Sequence, residues 1–386
     1  MKKLAIVSTH PIQYYAPWFR LLAERKKIDL NVFYTWSQSE TQVDDKNFGK
    51  TIIWDIPLLS GYNYTFVENI SKKPGSHHFF GIDCPSLIKG IVDYAPDVIL
   101  IFGWNFKAHL NVLRYFSGKT PIWFRGDSTL LDETKSLKTI LRRGFLKWVY
   151  RHVDKALFVG EANKKYFLKH GLKSKQLIYA PHAIDNNRFS DDDSKKYRDK
   201  ALKWRKDLGY SDNDIIVLFV GKFQSKKQPV FLLQAFIKAI EKTHQPLKLL
   251  FIGNGPLEDE LKSQSKPYQS VYFLPFQNQS LMPLVYRLGD VFCLPSKGPG
   301  ETWGLAVNEA MACGKPVIVS DKVGCAEDLV EYSDVGFKFN HNNMNELAVI
   351  LARLNKKDLK RKASNAKNRI KDHNFVEIVK AIENNI

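Results

Sequence analysis

The sequence predicts an α/β protein built as two doubly wound, Rossmann-like domains, and three observations carry that expectation. Short apolar runs closed by Gly, Pro or Asp alternate with longer segments of helical period, the pattern of strands laid parallel through helical crossovers. The alternation occurs twice, on either side of a charge-dense stretch at residues 191–199 that has no apolar period. The length of 386 residues suits two domains of ordinary size.

In the first half, the runs at 4–8, 30–34, 98–102, 122–124 and 156–159 read as buried strands, with 177–180 closing the set. In the second half, the runs are 216–220, 247–252, 271–274, 291–294 and 316–319. The domains are therefore expected at residues 1–189 and 190–369. The last segment, 370–386, has helical period and is placed to cross back onto the first domain.

Lys plus Arg number 58 against 40 Asp plus Glu, a net charge of +18. Such a balance attracts polyanions, whether nucleic acid, an anionic membrane face or phosphorylated substrates. Cys84, Cys293, Cys313 and Cys325 lack Cys-x-x-Cys or zinc-ligand spacing and read as buried reduced thiols. Met1-Lys2-Lys3 precedes too short an apolar stretch for a signal peptide, and His10-Pro11 interrupts it. No apolar run approaches the ~20 residues needed to cross a bilayer. A cytoplasmic protein is expected.

The richest stretch runs from Leu294 to Pro316. A strand gives way to a Gly/Pro loop, and then to a helix that starts near Gly304 and stops at Gly314, with Pro316 beyond. Ligands bind at the carboxyl ends of strands in doubly wound sheets. The N–H groups of Trp303, Gly304 and Leu305, backed by the helix dipole, would suit a diphosphate. Two carboxylates flank this turn, Glu301 in the loop and Glu309 about 8 Å further on if the intervening residues are helical. Taken alone, both could be solvated acids. Two more strand ends add to them, however. Gly221-Lys222 opens a loop with Lys226 and Lys227, cations able to neutralise phosphate. Gly253-Asn254-Gly255 has glycines that allow close backbone approach to a ligand.

Gly221-Lys222 with Lys227, Gly253-Asn254-Gly255-Pro256, Leu294-Pro295-Ser296 and the Glu301-x7-Glu309 block together resemble family 4 of the glycosyltransferases, within the glycosyl transferases group 1. These are retaining enzymes of the GT-B fold, two Rossmann-like domains facing a central cleft. The resemblance covers the second half nearly end to end. It implies that Lys222 and Lys227 hold a donor diphosphate, that Glu309 holds the ribose, and that Glu301 and the amides of Trp303–Leu305 hold the transferred sugar. Gly253 and Asn254 would stand on the donor side, and Phe276 in the backbone stretch beside the base. Lys222 replaces the family's usual Arg, so a bidentate clamp becomes a point charge.

The first half matches more loosely. Pro181-His182-Ala183-Ile184-Asp185 resembles the family's entry to the linker, but the first loop, Thr9-His10-Pro11-Ile12-Gln13, lacks the usual glycine pair. The loop Arg125-Gly126-Asp127-Ser128 lacks the usual histidine. By the strand-end rule, His10, Gln13, Trp104, Arg125 and Asp127 should line the cleft, Gln13, Trp104 and Arg125 toward the acceptor. Asp127 or His10 would take the histidine's catalytic role beside Glu301. Other readings stay open: Arg125 could pair with Asp127, His10 could cap backbone, and residues 54–62 could serve packing or the acceptor.

Asp191-Asp192-Asp193 and Asp212-Asn213-Asp214 precede a strand and read as solvated linker, so no metal or other cofactor is expected. Lys222, Lys227 and the helix N-terminus take a metal's role. Residues 135–151 interleave basic and aromatic residues at helical period, which fits an interfacial membrane helix or a core helix with a basic face. Further basic stretches at 195–206 and 356–371 spread the charge over the surface, against a single nucleic-acid groove. The expected activity is hexosyl transfer from a nucleotide-diphosphate sugar to a glycan or lipid-linked acceptor, in cell-surface polysaccharide biosynthesis. The enzyme would be peripheral on the inner face of the membrane. A nucleotide-sugar epimerase of the same fold is the alternative, and a basic membrane- or nucleic-acid-binding protein is one from another class. No Gly-x-Gly-x-x-Gly opens either domain, which excludes a dinucleotide dehydrogenase.

Overall fold

The computed structural model describes residues 1–36, 43–45, 50–52 and 55–386. They divide into two units: the described residues of Met1–Val43 with Ile56–His182 and Phe375–Ile386, and the described residues of Asp44–Asp55 with Ala183–Asn374. The strands in chain order are β1 (Lys2–Ser8), β2 (Ile28–Tyr34), β3 (Val43–Asp45), β4 (Lys50–Ile52), β5 (Asn63–Phe66), β6 (Val98–Phe102), β7 (Ile122–Arg125), β8 (Lys155–Phe158) and β9 (Leu177–Tyr179). They continue with β10 (Ile215–Val220), β11 (Leu247–Ile252), β12 (Val271–Leu274), β13 (Val291–Leu294), β14 (Val317–Ser320) and β15 (Gly336–Phe339). The α-helices are α1 (Ala16–Glu24), α2 (Ser86–Tyr94), α3 (Lys107–Phe116), α4 (Leu137–Tyr150), α5 (Glu161–Lys169), α6 (Asn186–Phe189) and α7 (Tyr197–Asp207). After them come α8 (Pro229–Ile240), α9 (Glu258–Ser265), α10 (Met282–Leu288), α11 (Leu305–Ala312), α12 (Met344–Ala352), α13 (Lys356–Arg369) and α14 (Phe375–Glu383).

The first unit is a parallel sheet in the order β5-β2-β1-β6-β7-β8-β9. β1 and β6 are buried on both faces, because crossover helices cover each side of the sheet. Ala5, Val7, Ile99 and Ile101 pack with Leu87, Ile91 and Leu113 from the helices. The second unit repeats the design, in the order β12-β11-β10-β13-β14-β15. Its core joins Val217, Phe219, Leu249 and Phe251 of the strands to Leu232, Phe236 and Leu347 of the helices. In both sheets the strand order reverses beside the first strand, at β1/β6 and β10/β13. Crevices open there at the strands' carboxyl ends.

All the expected runs form strands. The sequence missed β5, β15 and the small ribbon β3-β4. β5 and β15 are edge strands, and neither carries the continuous apolar signal of a central one. The chain passes into the second unit at Ala183 and not near 190. Phe189 is fully buried, and its carbonyl accepts from Arg287 Nη2 at 2.7 Å, which ties α6 to the second unit. The return begins at Phe375 and not at 370, since the Ile370 carbonyl accepts from Asn186 Nδ2 at 3.1 Å. α14 then packs on α1, where Arg25 grips Glu383 through Nε at 2.6 Å and Nη2 at 2.9 Å. That double hydrogen bond holds the Glu383 carboxyl below its usual range.

The four cysteines are free and buried. In the run at 54–62, Trp54 lies outside the described residues. Of the remainder, Tyr62 is buried and its hydroxyl meets that of Tyr34 at 2.7 Å, whereas Asp55, Pro57, Ser60 and Gly61 are exposed, with Arg20 donating to the carbonyls of Pro57 and Ser60.

Candidate functional site

The second unit's site is built on three loops that follow β10, β11 and β13. After β10, residues 225–227 make a tight turn, and Gln228 takes a left-handed conformation (φ 51°) that lets Pro229 open α8. This turn presents Lys227. After β13, Ser296 is buried and donates through Oγ to Glu301 Oε2 at 2.8 Å. The Lys227 ammonium reaches the same Oε2 at 2.6 Å. Lys227 and Glu301 thus join across the β10/β13 reversal point, the two loops being further tied by Lys297 N–H on the Lys226 carbonyl at 2.9 Å.

The segment from Glu301 to Gly304 is loop, and α11 begins only at Leu305. The helical separation expected between Glu301 and Glu309 therefore does not apply; about 6 Å of rise separates Leu305 from Glu309. Gly304 turns the chain at φ 93°, and a Cβ there would sit 2.8 Å from Val323 Cγ1. Gly324 N–H on the Glu301 carbonyl (3.0 Å) and Cys325 N–H on the Trp303 carbonyl (2.9 Å) hold the loop from beneath. The Trp303 indole is buried and donates to Asn308 Oδ1 at 2.9 Å. The first turn of α11, whose leading amides have no acceptor within the helix, follows directly.

Two expected donor-side residues make hydrogen bonds within the protein. Glu309 is 2% exposed and accepts from the Tyr286 hydroxyl at 2.6 Å. Asn254 links loops: its Nδ2 donates to Glu258 at 2.9 Å, and its Oδ1 accepts from Phe276 N–H at 2.9 Å. The neighbouring glycines let two loops pack closely. A Cβ on Gly253 would stand 2.0 Å from the Gly221 carbonyl oxygen, and one on Gly255 would stand 2.7 Å from the Phe223 backbone. Lys222 lies in the same β10 loop, half-buried.

In the first unit, a cavity of about 380 Å³ opens at the β1/β6 reversal, lined by Thr9, Tyr15, Trp104, Arg125, Asp127 and Arg142, among others. Of the five residues expected there, it gathers Trp104, Arg125 and Asp127 but not His10 or Gln13. His10 Nδ1 meets Thr9 Oγ1 at 2.9 Å, and its ring stands edge-on to Trp36 at 5.6 Å. Burial lowers its pKa. Arg125 feels the charge of Asp127, but its hydrogen bonds go to backbone. It donates to the carbonyls of Ala180 (2.9 Å) and Pro181 (3.1 Å), and burial pushes its pKa down to about 10.

Asp127 Oδ2 instead lies 3.6 Å from Nε2 of His182, a buried imidazole whose pKa is lowered by burial and partly restored by Asp127. The sequence contains this histidine in its Pro181–Asp185 motif, but only the return of β9 beside β8 brings it to the Arg125–Asp127 loop. The acidic stretch is likewise committed. Asp191 accepts from the N–H groups of Tyr197 and Arg198, Asp192 from Ser194 and Lys195, and Asp214 from Ser211.

Residues 200–372 match the family described as glycosyl transferases group 1. A D-inositol 3-phosphate glycosyltransferase of Rhodococcus erythropolis is 36% identical over 137 residues, which are 33% of this chain and 30% of that protein. The sulfoquinovosyl transferase SQD2 of Arabidopsis thaliana is 26% identical over 291 residues, 70% of this chain and 52% of its own. The chain spans about a third of the length of the first such relatives. Anabaena HepE, solved in complex with UDP, superposes with a TM-score of 0.72 at 18% identity, covering 100% of this chain and 99% of that one. That likeness establishes the GT-B fold. The part of the chain that carries the Lys227–Glu301 pair and the α11 turn lies within residues 200–372, the stretch that matches the glycosyl transferases group 1 family.

Proposed function

We propose that the chain is a retaining glycosyltransferase that moves a hexosyl group from a nucleotide-diphosphate sugar to a glycan or lipid-linked acceptor. The observation that carries this reading is the Lys227–Glu301 pair beside the N-terminus of α11, at the reversal point of the second sheet. An incoming diphosphate would draw Lys227, Lys222 and the leading α11 amides, with Gly253 and Asn254 framing the loop beside them. Glu301, released from Lys227, would accept from hydroxyls of the transferred sugar. Glu309 would serve the ribose from its place beside Tyr286, and Phe276 would flank the base.

The departing diphosphate gathers negative charge while the sugar carbon becomes cationic, so these cations do the work a divalent metal does elsewhere. A donor phosphate oxygen takes the acceptor proton on the face it leaves, which retains configuration. In the first unit, Trp104 supplies a stacking wall for the acceptor, and Asp127, backed by His182, orients a sugar hydroxyl. Arg125 fixes the backbone from which His182 projects. The anionic inner face of a membrane, where lipid-linked intermediates of surface polysaccharides are built, is the proposed working place. No described helix is long and apolar enough to cross a bilayer.

The test is a screen of nucleotide sugars for donor hydrolysis, followed by the stereochemistry of the product. Hydrolysis in EDTA that disappears in Lys222→Ala/Lys227→Ala supports the reading. Strict dependence on Mn²⁺ or Mg²⁺ would refute the metal-free mechanism. One observation favours a second reading: the Asp127–His182 pair is an acid/base set of the kind a nucleotide-sugar epimerase needs. An epimerised nucleotide sugar, without acceptor transfer, would establish that activity instead.

A further inference from the structure

The second unit has another cavity, of about 690 Å³, on the side away from the donor loops. Its lining includes Asp290, which immediately precedes β13, and Gly314-Lys315, which lie just before β14; it therefore opens at the amino ends of the parallel strands. α7 forms one wall with Arg198, Leu202 and Arg205, and α13 forms the other with Lys356, Leu359, Lys360 and Lys367.

Its two carboxylates are already engaged. Asp290 takes both Arg205 Nη atoms at 3.0 and 3.2 Å and the Ile216 N–H at 2.8 Å. Asp191 takes two amides at the start of α7. Arg287, at the floor, donates to the carbonyls of Pro283 and Phe189. Among the described residues, Arg198, Lys360 and Lys367 then face the groove with no ion pair to a carboxylate, and Lys315 feels Asp290 only at a distance. Lys315 is half-buried, and its ammonium makes one long hydrogen bond, 3.4 Å, to the Arg287 carbonyl. Burial lowers its pKa to about 8, against the attraction of Asp290 and with Arg205 and Arg287 adding repulsion. Along α13, Lys360 and Lys367 are separated by about 10 Å of helix rise, so the open charges are spread out.

We propose that this groove binds a multiply phosphorylated anion, seated on Lys315 and spanned by Lys360, Lys367 and Arg198. Its negative charge balances a cation cluster that the protein leaves uncompensated, and each separated phosphoryl group meets its own donor. The same chemistry is offered by a soluble polyphosphorylated compound and by a lipid phosphate headgroup. The site is separate from the donor loops, and its occupancy does not depend on the activity proposed above.

The experiment begins from a Lys222→Ala/Lys227→Ala background, so that the donor loop cannot capture the probe. Inorganic tripolyphosphate is titrated calorimetrically, and pelleting with phosphatidylcholine vesicles containing phosphatidic acid is measured in parallel. Lys360→Glu/Lys367→Glu, at exposed positions, is expected to weaken tripolyphosphate binding by about tenfold or more. Lys315→Met should weaken it similarly without altering the outer surface. If only vesicle binding responds to these changes, the occupant is a lipid headgroup. Absence of binding to both probes, or binding indifferent to the substitutions, overturns the proposal. Donor hydrolysis by Lys360→Glu/Lys367→Glu in the otherwise native chain should match wild type. A wild-type chain that hydrolyses no donor counts against the transferase reading and leaves the groove measurements standing.

Discussion

Glu301 and Glu309 are separated by seven residues in one motif, yet their surroundings give them different tasks. Glu301 is held by a lysine and a serine at the edge of a loop, and Glu309 is buried against a tyrosine hydroxyl. Glu301→Gln should therefore lower kcat, and because its ion pair with Lys227 is mostly buried it should also cost about 1–3 kcal/mol of stability. Glu309→Ala should raise the donor KM and also destabilise the fold by about 1–3 kcal/mol, since the Tyr286 hydroxyl loses its buried acceptor. Urea denaturation separates the two effects, and Tyr286→Phe tests whether the partner alone controls the KM. Equal kinetics in wild type and both glutamate variants would reject the donor-site assignment. The spacing of these carboxylates was legible in the sequence, and their burial was not. Tyr286 lies in another helix, and its approach to Glu309 depends on how α10 and α11 pack. His182 escaped for the same reason: its partner, Asp127, is 55 residues earlier and comes near only through the order of β7, β8 and β9.

Strands were the readable elements wherever they were central, because burial on both faces demands an unbroken apolar run. The edge strands β5 and β15 carry Asn, Thr, Gly and Lys, and escaped. The loop after β11 has a constraint that the sequence does not show. Its glycines do sit at a strand's carboxyl end, but the space that a Cβ would fill is occupied by the loop after β10. Gly253→Ala, at φ 144° and 2.0 Å from a carbonyl oxygen, should cost about 1–3 kcal/mol or more and raise the donor KM by displacing Lys222. Thermal unfolding of that variant at wild-type temperature would show that the loops do not depend on this contact.

The helix α4 raised two possibilities, and the structure supplies both faces at once. Leu146, Val149 and Tyr150 pack inward, while Leu137 (75% exposed), Ile140 and Leu141 (70%) form a separate apolar stripe beside Lys138 and Arg142. Arg143 is engaged by Glu133 at 2.5 Å, so it is a poor probe of lipid binding. Leu137→Ser/Leu141→Ser should reduce binding to anionic vesicles at low salt and leave donor hydrolysis unchanged. Undiminished vesicle binding would remove this helix from the membrane reading.

At the scale of the molecule, the doubling of the fold was legible because the same strand–helix rhythm occurs twice, and the boundary was displaced only because α6 is short and polar in appearance. Each unit also buries a histidine that resists protonation. Burial pushes His109 in the first and His373 in the second down to about 4. The unfolded chain takes up these protons near pH 6.5, whereas the folded one does so only near pH 4. Stability should therefore be fully present above pH 6.5 and fall as pH drops toward 4, by up to about 1.4 kcal/mol per histidine for each pH unit. Denaturation midpoints measured across that window check this, and a flat profile would contradict it.

The return of α14 has a consequence for the order in which the protein can be made. A ribosome delivers residues 1–182 first, but the helix that packs on α1 is translated only after residues 183–374. At 5–20 residues per second, that is a wait of roughly 10–40 s. During it, the nascent first unit carries an unsealed apolar surface, and Arg25 has no Glu383 to hold. A fragment ending at residue 182 should accordingly aggregate, while the same fragment joined through a short flexible linker to residues 375–386 should stay monomeric and fold.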